Sequence, residues 1–210
     1  MVAVGIVEDN PDGPSAADGA FRDRLLDGLA ASIAERGYRD TTVADIVRHA
    51  KTSKRTFYAH FPNKDDCLLE LLEADNIAMI AGIRAAVDPE AHWRTQIESA
   101  IDAYISAIEA NPSISLTWIR EFPALGAAAR PVQRRGMARF TDMLVDITSS
   151  PGFRRAHLET VTRSTALILL GGLRELTAHT VEDGEDIRGI TETAVTACVG
   201  LVGQSGPIAT

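Results

Sequence analysis

From Phe21 onward apolar residues recur at helical spacing and nowhere at sustained strand spacing, and this limits the possible fold more than any other feature of the chain. Phe21, Leu25, Leu29 and Ile33 repeat every fourth residue, with Leu26 and Ala30 beside them and Gly37 where a helix would end. Beyond Lys64 the stripes lengthen. Leu68/Leu69, Leu72, Met79/Ile80, Ile83 and Val87 form one, and Trp93, Ile97, Ile101, Tyr104 and Ile108 form the next, divided by Asp88-Pro89. Asn111-Pro112 opens a short helix through Trp118 and Phe122, and Pro123 separates it from a longer one ending near Ser149-Ser150-Pro151. The spacing predicts two final helices, over 153–180 and 185–202. The expected fold is therefore all-α, with about nine helices.

Between the first helix and the long ones lies a shorter pattern. Thr41-Thr42 is a start signal for the stripe Val43, Ile46, Val47, Ala50, with Thr42 as the expected N-cap and Asp45 placed to suit the helix dipole. After Lys51-Thr52-Ser53 a second stripe follows, Phe57 and Phe61, with Ser53 as its N-cap and Pro62-Asn63 as its end. Two short helices joined by a tight turn form a helix-turn-helix.

Charge sharpens that reading. The net charge of −8 over 210 residues argues, taken whole, against a nucleic-acid binder. Divided along the chain it is −4 for residues 1–20, +2 for 21–66 and −6 for 67–210. Arg48, Lys51, Lys54, Arg55 and Lys64 occupy residues 46–64 without one acid, and Lys51, Lys54 and Lys64 are the only lysines of the chain. Thr52, Ser53, Thr56, Tyr58 and His60 are interleaved with them, side chains that bond phosphate oxygens. If Phe57 and Phe61 face a core, Lys54, Arg55 and Tyr58 face away from it, toward a major groove. Lys54 and Arg55 are then the candidates for guanine edges.

The run Thr42-Val43-Ala44-Asp45-Ile46-Val47, followed by Ala50-Lys51-Thr52-Ser53-Lys54-Arg55-Thr56-Phe57-Tyr58-Ala59-His60-Phe61-Pro62-Asn63-Lys64, resembles the DNA-binding signature of the tetracycline-repressor (TetR) family over Leu25 to Leu69. The resemblance implies a homodimeric regulator of transcription, with an N-terminal three-helix domain on double-stranded operator DNA and a helical body that binds a small-molecule effector. It implies that Thr56, Tyr58, His60 and Lys64 contact phosphates, and that Thr42, Ala44, Ser53, Lys54 and Arg55 lie near bases or the adjoining backbone. Two positions depart from the pattern: Lys51 stands where a glycine is common in the turn, and Thr52 where an aliphatic residue packs. A non-glycine residue at positive φ costs about 1 kcal/mol. The expected organisation is an acidic arm (1–20), a DNA-binding domain (21–66), an effector-binding and dimerisation domain (67–204) and a tail (205–210).

Within the body, Trp93, Tyr104, Trp118, Phe122, Met137 and Phe140 are candidates to line an effector cavity, with plain core packing the alternative for each. Arg130, Arg134, Arg135 and Arg139 either meet an anionic ligand or form a solvated face. Small residues along Leu158, Val161, Thr165, Ile168, Gly172, Leu176 and along Ile187, Ile190, Ala194, Ala197/Cys198, Leu201 suit close helix packing across a two-fold axis, so the homodimer is expected through the last two helices.

Other chemistries lack their residues. His49, His60, His92, His157 and His179 form no close pair of the kind that holds zinc. No nucleophile elbow or phosphate loop occurs, so neither enzyme, metal nor cofactor is expected. Cys67 and Cys198 make no disulfide framework, no basic n-region opens the chain, and its longest apolar run, Thr165 to Leu173, is far short of the roughly 20 residues that span a bilayer. A cytoplasmic protein is expected. The alternative function is an all-α small-molecule binding or interaction protein whose helix-turn-helix no longer reads DNA.

Overall fold

A computed structural model describes residues 16–203, so most of the expected acidic arm and the expected tail lie outside the described residues. Residues 16–20, assigned to that arm from sequence, already belong to the first helix. Among the described residues there is no strand, and ten α-helices follow one another: α1 (Ala16–Asp40), α2 (Val43–His49), α3 (Lys54–His60), α4 (Lys64–Ala86), α5 (Trp93–Ala110), α6 (Pro112–Leu116), α7 (Ala129–Thr148), α8 (Pro151–Arg155), α9 (Arg163–Glu182) and α10 (Thr191–Gly203). A π-helical turn (Thr117–Glu121) and a 3-10 turn (Phe122–Leu125) continue α6, and a second 3-10 turn (Ile187–Ile190) leads into α10.

The caps explain the short helices. Thr42 and Asp45 form a reciprocal capping box at the start of α2, Ser53 accepts the Thr56 amide at the start of α3, and Asn63 accepts the Asp66 amide at the start of α4. Gly37, at φ 78°, breaks α1 just before its last residues.

The helix expected over 153–180 is instead two helices. Pro151 starts α8 and His157, at φ 55°, reverses the chain, with the Leu158 and His157 amides bonded back to the Phe153 and Arg154 carbonyls. Thr162 then caps α9 by accepting the Thr165 amide. Leu158 and Val161 mimic the start of the stripe continued by Thr165 because two loop residues fall at helical intervals ahead of α9.

Two cores result. Leu25, Leu29, Ile33, Ile46, Phe57, Phe61, Leu68 and Leu72 build the first, which Ile114, Phe122, Ala129 and Val132 close from the body. The second gathers Ile83, Ile101, Ile105, Ile108, Phe140, Phe153, Leu170, Ile190 and Val202. One continuous helix, α4, enters both: Cys67, Leu68 and Leu72 lie in the first and Ile80 and Ile83 in the second. The division expected after residue 66 therefore falls inside a helix. No helix among the described residues is long and apolar enough to cross a membrane.

Candidate functional site

Three cations stand clear at one end of the molecule. Lys51, Lys54 and Arg55 are exposed and, among the described residues, carry no ion pair. Arg48, of the same basic window, is spent on Glu35 (3.1 Å) and Asp45 (3.4 Å). His49 joins it on Glu35 at 3.0 Å, and these bonds, His49's first, hold the Glu35 carboxyl down at about 2. Phe57 is fully buried and Tyr58, edge-on to it at 5.4 Å, is 57% exposed. The outward face of α3 thus presents Lys54, Arg55 and Tyr58, as its periodicity requires. Thr42 and Ala44 at the start of α2 are exposed too, whereas Thr52, Thr56 and His60 are half-buried.

The turn between α2 and α3 closes regularly despite its unusual residues. The Thr52 amide donates to Val47 (2.9 Å) and the Lys51 amide to Arg48 (3.3 Å), the double closure of a Schellman motif. Lys51 takes the left-handed position at φ 50°. Ser53 Oγ caps α3 and bonds Thr56 Oγ1 at 2.9 Å, so both hydroxyls are engaged within the motif.

Lys64, expected at a phosphate, is largely engaged within the protein. Its ammonium donates to the carbonyls of Tyr38 (2.9 Å) and Thr41 (2.8 Å) and sits 4.2 Å from the centre of the Tyr38 ring, and burial depresses its pKa. Only one N–H is left over. The Tyr38 hydroxyl donates to Asp65, which completes the junction of α1 with α4.

The body holds a cleft of about 530 Å³, its open mouth included, between α4, α5, α6, α7 and α9. Of the six aromatic and methionine candidates, Tyr104, Trp118, Met137 and Phe140 line it. Trp93 and Phe122 do not: Trp93 packs on Phe153 at 6.0 Å, and Phe122 is fully buried in the first core. Sequence reasoning missed the polar lining, Asp75 and Asn76 on α4 and Arg174 on α9. Asn76 is 3% exposed, yet neither its amide nitrogen nor its oxygen has a partner. Arg174 Nε is likewise buried without a partner, and burial lowers the pKa of the guanidinium and raises that of Asp75. The Tyr104 hydroxyl, by contrast, is bonded to Thr177 Oγ1 (2.8 Å), and burial pushes it up to about 12. The sequence did carry a signal: Asn76 stands four residues from both Leu72 and Ile80 in an apolar stripe, and Arg174 four from Leu170.

Two of the four arginines of α7 are struts. Arg135 and Arg139 bind Glu73 of α4 at 2.9 and 2.8 Å and hold its carboxyl at about 2. Arg130 and Arg134 are exposed.

One segment joins the cleft to the end that carries α2 and α3. Trp118, in the cleft wall, stacks 4.7 Å from Phe122, which is buried in the first core. Arg120 and Glu121 lie between them: Arg120 binds Glu175 (2.9 Å) and Glu182 (2.7 Å) of α9, and Glu121 binds Arg39 of α1 (2.8 Å).

Comparison with known proteins agrees with this layout. Residues 25–71 match the family model "Bacterial regulatory proteins, tetR family". The chain is 36% identical over 88 residues to the HTH-type transcriptional repressor KstR2 of Mycobacterium tuberculosis, covering 42% of this chain and 44% of that protein. It is 26% identical over 144 residues to the HTH-type transcriptional regulator HbdR of Aromatoleum sp., covering 64% and 60%. The matches thus span less than two thirds of these relatives' length. In fold it is similar to the fatty acid degradation regulator FadR of Bacillus halodurans (TM-score 0.73, 18% identity, 87% of this chain and 98% of that one). FadR of Bacillus subtilis, solved in complex with stearoyl-CoA, gives a TM-score of 0.71 at 18% identity, covering 86% and 97%.

Proposed function

We propose that this chain, whose residues 25–71 form a tetR-family DNA-binding domain, is a homodimeric, sequence-specific regulator of transcription, a repressor that leaves its operator when a small molecule fills the cleft. The observation that carries the reading is the outward face of α3 and the turn before it, where Lys51, Lys54, Arg55 and Tyr58 are exposed, the three cations without an ion pair among the described residues, on a helix anchored by Phe57 and Phe61. Lys54 and Arg55 reach base edges. Lys51, Tyr58 and the helix starts meet phosphates. Lys64 acts chiefly by fixing the α1–α4 junction from which the motif projects.

The face expected to pair two copies is supported in part. On α9, Leu167 and Ile168 are 53% and 67% exposed, and a Cβ added at Gly171 or Gly172 would meet nothing, so this side has room for a second backbone. Ala197, Gly200 and Leu201 extend the exposed side onto α10. Val161, Ile187, Ile190 and Ala194, counted toward the interface from sequence, are buried in the monomer's own core.

Release follows by population shift. Two recognition helices must sit about 34–36 Å apart to enter successive major grooves. A ligand that binds better to a differently spaced dimer lowers operator affinity by the same factor that operator lowers ligand affinity. The clamp from Trp118 through Phe122, with Arg120 and Glu121 between, is the physical connection. That the neighbour FadR binds an acyl-CoA agrees with a ligand site in the body. The regular hydrogen bonding of the turn at Lys51 supports a motif that reads DNA over one that has ceased to.

Titration of duplex DNA from the chain's own promoter, by fluorescence anisotropy, tests the reading. Tighter binding than to random duplex is expected. Equal binding to both at every salt concentration would refute it.

A further inference from the structure

The polar lining of the cleft is built to receive something. An asparagine with both amide atoms buried and unpartnered leaves hydrogen bonds unmade that a native interior rarely tolerates. Arg174 presents a harder problem. Its Nε is buried without a partner, its NH1 reaches only the Met137 sulfur at 3.9 Å, and among the described residues it has no ion pair. A guanidinium cannot shed its charge. Asp75, the acid of the same cleft, can do so by taking a proton, and burial drives it that way. The one charge the cleft cannot dispose of is therefore positive.

We propose that the cleft takes a small apolar carboxylic acid, its carboxylate against Arg174, its remaining hydrogen bonds met by Asn76, and its body against Trp118, Met137 and Phe140. The inference rests on the cleft being the effector site and deepens it to a class of ligand. A cationic ligand would set like charge against Arg174, and a neutral one would leave that charge uncompensated. Burial raises the Asp75 pKa, and on taking a proton its O–H would donate to an anion rather than repel it.

Calorimetry on the full chain with naphthylacetate, its carboxamide and naphthylethylamine separates these cases. The acid is expected to bind at least tenfold more tightly than the amide or the amine, and Arg174→Met to abolish that preference. Because the methionine removes a half-buried guanidinium whose Nε has no partner, Arg174→Met should also raise the Tm of the ligand-free protein, as should Asn76→Leu, whereas an arginine or asparagine kept for packing would lower it on replacement. Equal binding of acid and amide, a preference that survives Arg174→Met, or no binding of naphthylacetate, phenylbutyrate or decanoate at millimolar concentration would each overturn the proposal. Promoter titration without ligand reads the regulatory function separately: failure there with acid preference intact condemns that function and leaves the ligand class standing.

Discussion

Lys51 occupies a position that chemistry would give to glycine. Its left-handed backbone costs about 1 kcal/mol, and it is retained in a turn whose hydrogen bonds are otherwise regular. Lys51→Gly should therefore raise stability by about 1 kcal/mol in chemical denaturation while lowering the salt slope of operator binding by about one phosphate contact per subunit. Unchanged salt dependence would remove Lys51 from the DNA face. Lys64 should behave in the opposite way. Replacing it by Met leaves the Tyr38 and Thr41 carbonyls without their charged donor, and hydrogen bonds to charged groups are worth about 1.5–3 kcal/mol each. Lys64→Met should lower stability on that scale, and a variant as stable as the parent would show that this ammonium is not structural.

At the scale of the element, legibility follows the range of the interactions involved. The α2–α3 unit was readable because its determinants are local: Thr42, Ser53 and Asn63 bond amides three residues away, and Phe57 and Phe61 lie one turn apart. The His157 break was not, since a left-handed residue other than glycine leaves no mark in the sequence. The cleft was half legible. Aromatic residues announced it, but Asn76 and Arg174 share it only because α4 and α9 both line the cleft, the two residues standing 98 positions apart in the chain. Its struts are testable by acid. Arg135 and Arg139 hold Glu73 near 2 against an ordinary 4.5, so the stabilisation is complete above pH 4.5 and disappears as the pH falls toward 2. Glu73→Gln should lower Tm at neutral pH and flatten its decline across that acid window, and parallel curves for both proteins would refute the role. Phe122→Ala should cost about 3–5 kcal/mol and speed amide exchange in residues 25–72 as well as around Trp118. Acceleration confined to the cleft would break the link between the two.

For the whole molecule, charge and assembly decide function together. The −6 charge of residues 67–210 disfavours non-specific association with DNA, which under the proposed function leaves the cationic end to find a site. If a dimer neutralises about 6–10 phosphates, operator affinity should fall by roughly 10³–10⁵ between 50 and 200 mM salt. Ile168→Glu should give a monomer in light scattering and weaken operator binding without altering the fold seen by circular dichroism, and a dimer that persists would place the interface elsewhere. One feature governs how far a ligand's effect can reach. Helix α4 runs unbroken for 23 residues, Asn76 in its second half and its first residue, Lys64, locked against the base of the reading head. At about 1.5 Å per residue it is a rod roughly 34 Å long, and pivoting it by about 5° at one end swings the other by about 3 Å. In the dimer proposed above, a side chain shifted by the width of a bond near Asn76 would thereby be geared up to a displacement that two recognition helices spaced to the turn of a double helix could not absorb.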